Sequence, residues 1–378
     1  MKKITIYMLI VTFCILLIII TNSYVQNNNK YIKDNGIMYA ITIEGIEHNS
    51  FPTGNYKTII NCQNAEGYWD AFENKMIVKN ITGNPVCDVN FYNITNNDYL
   101  NNYIISRVGQ SQGNGQIVLE NGYRYEGKNP NNYIWFNNEL WRIIGVFDSS
   151  SHGVANKNLV KIIRANTLPG IEMDPSNNNY KHAHINKILN GQYYNRSNDD
   201  SYCTFFANVK KQCDYSNTGL DSNYRNIVEY VTWYLGGVGK TGYTSEYVND
   251  IYVYERDQNS VIDNNITTIE NYVGLLYLSD YLYAVLASSC SRSSNKMSYY
   301  NNCSTNDWLL SGNDEWTITH DSKYSGYTFS ITASGSVSHR DTRDGINLRP
   351  VVYLSENVYR VSGTGTIIDP YIIGIVSS

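Results

Sequence analysis

Charge is scarce in this chain. Asp, Glu, Lys and Arg supply 17% of its 378 residues, the net charge is −5, and no basic run occurs. A nucleic-acid binder needs a basic face that displaces counterions from phosphates, so nothing here points to that class. No Cys-x-x-Cys spacing occurs, which leaves a metal reading of the cysteines weak. Gly109-Gln110-Ser111-Gln112-Gly113 has the Gly-x-Ser-x-Gly spacing, but it falls in a Gly-rich link with no strand before it, so it does not mark a nucleophile elbow. Apart from His182 and His184 the histidines are scattered, and no internal repeat is visible. The chain is nonetheless 42% hydrophobic and 13% aromatic, a globular composition. Its 35 tyrosines and many asparagines fit an AT-rich genome and carry little chemistry of their own.

The longest stretch without charge lies near the start. Lys2 and Lys3 precede an apolar run from Ile4 to Ile20, interrupted only by Thr5, Tyr7, Thr12 and Cys14. A secretory signal has a shorter apolar region of about 7–15 residues and then a small-x-small cleavage site. Thr21-Asn22-Ser23-Tyr24 is a poor cleavage site. Residues 1–22 therefore read as an uncleaved signal-anchor transmembrane helix, with a cleaved signal as the alternative. The lysines ahead of the run place the N-terminus in the cytoplasm and the bulk of the chain outside the cell. The expected partner is accordingly the membrane, crossed once, with a glycan or protein ligand outside the cell.

Apart from Cys14, the cysteines fall as three sequence-local pairs, Cys62 with Cys87, Cys203 with Cys213, and Cys290 with Cys303. Outside the cytoplasm disulfides persist, and proximity favours these three pairings among the fifteen that six cysteines allow.

Residues 23–35 are polar and Asn-rich and read as a stalk. Residues 36–95 read as a small β-sandwich-like module. Extended runs at Met38 to Ile46, Tyr56 to Cys62, Lys75 to Ile81 and Val86 to Phe91 are separated by turn signals, and Cys87, Val89 and Phe91 alternate onto one face. Residues 96–118 read as a helix, with Leu100, Ile104 and Val108 on one face, followed by the flexible link Gly109 to Gly115. Residues 119–376 read as one α+β extracellular domain. It opens with a hairpin, Tyr133 to Phe136 and Glu139 to Phe147, turned at Asn137-Asn138. Strands are expected at Leu159 to Arg164, Tyr272 to Leu278, Gly326 to Thr332 and Leu348 to Leu354. A short helix is expected at Ala183 to Leu189, ending at Asn190-Gly191. A longer one is expected at Ser222 to Leu235, capped by Ser222 and stopped by Gly236-Gly237. The absence of a βαβ rhythm sets the class as α+β.

Gly236-Gly237-Val238-Gly239-Lys240-Thr241 imitates a phosphate loop. Such a loop needs a strand before it and a helix after it. Here a helix is expected before it, another turn follows, and Tyr234 stands where the first Gly belongs, so it reads as a helix stop. His182-Ala183-His184 at a helix start points its histidines apart, which suits surface residues better than a metal pair. His320-Asp321-Ser322 is adjacent in sequence only, while a triad needs adjacency in space. Trp135, Trp141, Trp233 and Trp316 read as core rings. Trp308, after the polar Asn306-Asp307, is the candidate ligand-contact ring. Arg349 is expected to be buried within the strand Leu348 to Leu354, where an unpaired charge is costly, with Asp280 as its ion-pair partner.

Several strings occur in a set order: YIWFNNELWRIIGVF (133–147), INKILNGQYY (185–194), WYLG (233–236), GLLYLSDYLYA (274–284), WTIT (316–319), LRPVVYL (348–354) and GTGTIIDPYII (363–373). In this order they resemble an uncharacterised exported or surface domain family of low-GC Gram-positive bacteria, over residues 122–374. The resemblance implies a cell-surface location and no particular reaction. More distantly, Gly312 to Trp316 followed by Leu348-Arg349-Pro350 is similar to core strings of C-type-lectin-like and sulfatase-modifying-factor folds. The lectin calcium triplets Glu-Pro-Asn and Gln-Pro-Asp are missing, so calcium-dependent sugar binding is not implied, and the oxidase cysteines do not map.

The sequence thus leads to a single-pass, membrane-anchored extracellular binding or adhesion protein with no catalytic residues, cofactor or metal assigned. The alternative is a cell-envelope enzyme, either a hydrolase or a modifying-factor-like oxidase.

Overall fold

The computed structural model describes residues 31–207, 209–239, 242, 245–257 and 267–376. The expected membrane anchor and most of the expected stalk lie outside the described residues. Among the described residues no helix is long and apolar enough to cross a membrane. The chain divides into two compact units, Met1–Ile94 and Thr95–Ser378.

The described part of the first unit consists of strands and turns. Its sheet is centred on Val86–Asn93, which runs parallel to Ile37–Ile43 and antiparallel to Tyr56–Gln63. Cys87, Val89 and Phe91 are buried while their neighbours are less so, the period of two that a one-sided sheet imposes. Cys62 and Cys87 are directly opposed in the ladder and joined as a disulfide, Cα to Cα 4.1 Å. Trp69 is fully buried against the rings of Phe51 (5.5 Å) and Phe91 (4.9 Å, edge-on). The sheet also takes in Ile32–Asp34, paired with Ile37–Ile43, so its edge begins inside the segment expected to be stalk.

The second unit mixes several sheets with short helices. In its seven-stranded sheet Leu159–Arg164 lies between Glu139–Phe147 and Val351–Leu354, all antiparallel. The hairpin Tyr133–Phe136 to Glu139–Phe147 forms as expected. Asn137 and Asn138 take φ of 56° and 60°, the left-handed pair that a tight two-residue hairpin needs. A five-stranded sheet holds Leu168–Ile171, Ile346–Leu348, Glu315–His320, Tyr327–Ile331 and Val337–Asp341. Trp141, Trp233 and Trp316 are core rings, each at most 1% exposed, whereas Trp135, also expected in the core, is half-buried. The first and last elements of this unit meet. Tyr99 bridges Tyr359, and Tyr103 on the helix Leu100–Ile105 packs edge-on against Tyr371, under the guanidinium of Arg360.

Four local expectations need correction. The helix expected over Ser222 to Leu235 lasts one turn, Ser222–Arg225, capped by Asp221 rather than Ser222. Val231–Tyr234 is instead a strand paired with Thr268–Asn271. Val231 and Leu235 satisfy period four, but Val231, Trp233 and Leu235 also satisfy period two. All three are buried, and β-branched and aromatic residues favour the strand. The helix at His184–Lys187 runs on into a π-helical segment, Ile188–Tyr193, so Asn190-Gly191 lies inside it and is not its cap. The expected strand Tyr272 to Leu278 shrinks to Val273–Gly274, because Leu278–Leu282 is helical with Asp280 in its first turn. The flexible link ends early: Gly113, at φ 59°, turns the chain into the strand Asn114–Leu119.

The fifth correction concerns Arg349. Pro350 has no N–H and splits the expected strand in two. Ile346–Leu348 belongs to the five-stranded sheet and Val351–Leu354 to the seven-stranded one, so Arg349 stands where the chain passes between sheets. It is buried as expected, at 3% exposure. Its partner, however, is Glu315 and not Asp280. Nε and Nη2 donate to the two Glu315 carboxylate oxygens at 2.7 and 2.6 Å, and Nη2 also donates to the Leu309 carbonyl at 2.6 Å. Glu315 opens the strand beside Ile346–Leu348 and is thereby in register with this crossing, whereas Asp280 is already held by two other cations.

Candidate functional site

The three cysteine pairs form in the structure as expected, with Cα separations of 4.1, 6.0 and 5.8 Å. The second of them, Cys203–Cys213, closes a loop that carries the most conspicuous exposed apolar group in the second unit. Phe205, Phe206 and Val209 are 44, 56 and 61% exposed, and Tyr202 beside them is 37% exposed. Three of these lie inside the loop and Tyr202 just before it, a grouping less ordinary than single exposed residues.

The loop has a defined seat. Phe205 packs directly against Gly345, where a Cβ would meet its carbonyl and ring, so only glycine fits there. The Ala207 N–H reaches the Arg343 carbonyl at 3.4 Å. Beneath, the segment 172–178 ties three loops together: Glu172 N–H bonds the Thr204 carbonyl (2.9 Å), Asp174 N–H the Thr342 carbonyl (3.1 Å), and Asn178 N–H the Ser325 carbonyl (2.6 Å). The buried Asn178 side chain also donates to the carbonyls of Asp321, Tyr324 and Tyr327. The cysteine-closed loop is thereby brought beside the turn before Tyr327–Ile331.

That turn adds more rings. Tyr324 and Tyr327 are 47 and 36% exposed. Tyr327 stacks on His339 with centroids 4.8 Å apart. His339 Nδ1 lies 2.8 Å from Asp321 Oδ2, and Asp321 Oδ1 accepts the N–H groups of Lys323 and Tyr324 at 2.7 and 3.0 Å. Cations line the other side: Lys187 Nζ stands over Tyr202 at 4.5 Å and Lys211 Nζ over Phe205 at 5.2 Å. Exposed rings on two neighbouring loops, with Lys187 and Lys211 over two of them, can take up a ligand by stacking and apolar contact.

Of the residues singled out in the sequence, Asp321 and His184 lie at this face and the others do not. Trp308, expected as a ligand ring, is 5% exposed. Its Nε1 donates to the Tyr125 carbonyl (2.8 Å), and the Arg142 guanidinium lies 4.6 Å from its ring. It is a core residue, since the buried Arg142 needs a π face and a carbonyl there. His182 is exposed and His184 half-buried against Tyr202. His320 is buried with Nε2 unpartnered, and burial pushes its pKa down to about 4. Among the described residues no group of three or more His, Cys, Asp or Glu side chains is placed to hold a metal ion.

Only part of the glycine string is described; Lys240 and Thr241 lie outside the described residues. A strand, Val231–Tyr234, precedes it, so that premise of the helix-stop reading falls. The N–H groups of Gly236, Val238 and Gly239 are spent on the Glu255 carbonyl, the His320 carbonyl and the Glu246 carboxylate at 2.8, 3.0 and 3.1 Å. A phosphate loop needs those donors free, and Glu246 would repel an anion.

One buried centre was not legible in the sequence. Lys161, Arg124 and Asp280 meet behind the seven-stranded sheet, each at most 1% exposed. Arg124 Nη1 donates to Asp280 Oδ1 at 2.9 Å, and Lys161 Nζ contacts Asp280 Oδ2. Burial pushes Lys161 down to about 8 against the pull of Asp280. Burial pushes Asp280 up, but Lys161 and Arg124 outweigh it and the net shift is down. Ser279, next in the chain, is bound by the buried Glu255, whose pKa burial raises.

A search of family models, curated proteins and solved structures finds nothing that matches this chain.

Proposed function

We propose that this protein is a membrane-anchored binding or adhesion protein of the bacterial cell surface, with residues 1–22 as the anchor. Its larger unit is C-type-lectin-like, and its ligand, a glycan or a protein, docks on the rings of the Cys203–Cys213 loop and Tyr324. The observation that carries this reading is the group of exposed apolar rings on a loop closed by a disulfide and seated on segment 172–178 and the turn Arg343 to Gly345. Water-facing rings cost hydration, and a built seat holds them in place, so the patch suits a contact surface. Disulfides further suit a compartment outside the cytoplasm. A second reading, an envelope hydrolase, draws on the Asp321–His339 pair, in which a carboxylate orients an imidazole as a general base requires.

The test uses the soluble fragment from residue 31 on arrays of glycans, peptidoglycan fragments and extracellular proteins. A ligand retained by the wild type and lost in Phe206→Ala with Tyr324→Ala supports the binding reading. Retention by the double variant refutes the site. Turnover of an array ligand, abolished in His339→Ala, favours the hydrolase instead. Location has its own check: protease treatment of intact cells should remove the bulk of the chain, and survival until lysis would reverse the topology.

A further inference from the structure

We propose that the side-chain amine of Lys161 and the carboxyl of Asp280 condense to an amide, cross-linking the strand Leu159–Arg164 to the helix Leu278–Leu282. The inference is independent of the ring face and of the function assigned to it. The two groups are already in contact, 119 residues apart in sequence. Both are shut away from water, Lys161 at 0% and Asp280 at 1% exposure. Lys161 Nζ is caged by the rings of Tyr277 (4.4 Å), Tyr353 (5.4 Å), Phe147 and Trp233 (both 5.6 Å).

This is the setting that condensation needs. An amine and a carboxyl held in contact react as one molecule, without the entropy cost of meeting. In bulk water the charged pair is favoured and the amide is not. In a dry site each ion carries a desolvation penalty, and an amide removes both ions at once. Burial also lowers the Lys161 pKa to about 8, so the neutral amine is accessible near neutral pH.

The step balances without any further reagent. The ammonium passes one proton to Asp280 Oδ2, giving an amine and a carboxylic acid. The nitrogen lone pair attacks Cγ, and the charge that develops on Oδ1 is met by the Arg124 N–H already bonded to it. A second proton moves from nitrogen to Oδ2, the Cγ–Oδ2 bond breaks, and water leaves. One C–N bond forms, one C–O bond breaks, and one N–H remains on the amide. Arg124 keeps Oδ1, now an amide oxygen, as its acceptor in place of the carboxylate. Its guanidinium faces the rings of Phe147, Tyr283 and Tyr252 at 4.6, 5.2 and 5.7 Å, and its Nε donates to the Glu120 carbonyl.

The test is mass spectrometry of the full chain after reduction, alkylation and trypsin digestion. Trypsin does not cut after an acylated lysine, so the bond between Lys161 and Ile162 should survive. The expected product is one branched peptide joining the Lys161 and Asp280 segments, lighter than its two parts by one water. It should be missing from Asp280→Ala and from Lys161→Arg. Quantitative cleavage after Lys161 in the wild type, with an unmodified Asp280 peptide, overturns the proposal and leaves an ion pair only. The wild-type digest decides this even if neither variant folds.

Discussion

Replacing Arg349 by Met while leaving Glu315 in place should destabilise the second unit by about 3–5 kcal/mol, the cost of stranding one partner of a buried pair. The magnitude can be worked from the site. Glu315 is fully buried and has the Arg349 fork on both oxygens. Without the guanidinium its buried carboxylate loses two charge-assisted hydrogen bonds, each worth about 1.5–3 kcal/mol. The Leu309 carbonyl also loses its donor, worth about 1 kcal/mol more. The assay is urea denaturation followed by tryptophan fluorescence, since Trp141, Trp233 and Trp316 are all buried in this unit. Arg349→Met with Glu315→Leu should recover most of the loss, because a pair of apolar groups carries no stranded charge. A single-variant loss below about 1 kcal/mol, or a double variant no better than the single, would refute the argument.

Three other outcomes are expected. His320 has its folded pKa lowered to about 4 by burial, so the unfolded chain binds its proton first. Stability from this group is complete above the unfolded value near 6.5 and is lost as pH falls towards 4. It amounts to about 3 kcal/mol, and a His320→Gln variant whose acid sensitivity equals that of the wild type would disprove it. Removing the Cys62–Cys87 bridge by paired alanine substitution should cost the first unit about 3 kcal/mol on the chain-entropy model, read as a lower denaturation midpoint of that unit; an unchanged midpoint would argue otherwise. Calorimetric titration of the soluble fragment with ATP should give no saturable heat, and binding that disappears in Lys240→Ala would show that the glycine string holds phosphate after all.

The parts of the fold that could be read from sequence are those where one signal stands without a competitor. Asn137-Asn138 between two apolar runs admits only a tight hairpin, and the hairpin is there. Cys87, Val89 and Phe91 alternate with no helical period to rival them, and all three are buried. Val231, Trp233 and Leu235 show the opposite case. Their spacing serves both periods, and only the strand Thr268–Asn271, distant in sequence, decides between them. Ionic partners were the least legible. Arg349 was readable as buried from its apolar neighbours, but its choice of Glu315 depends on a chain crossing between two sheets that Pro350 enforces. The ring face was hidden for a related reason. Phe205 and Phe206 look like core residues in a row, yet with the loop held by Glu172, Arg343 and Gly345 both stay exposed. The one hint was the cysteine on either side, which marks a loop that must hold its shape without a core of its own.

The meeting of Tyr99 and Tyr103 with Tyr359 and Tyr371 bears on how the second unit would respond to being pulled. Its first helix and last strands lie at one corner, so tension applied at both loads the Tyr103–Tyr371 and Tyr99–Tyr359 contacts first. Tyr371 also bridges Ile134 and accepts the Trp135 N–H, so the load then passes into the hairpin strand Tyr133–Phe136. The same closeness means the unit can be spliced into a host loop, or reopened elsewhere with those two ends joined by a short linker.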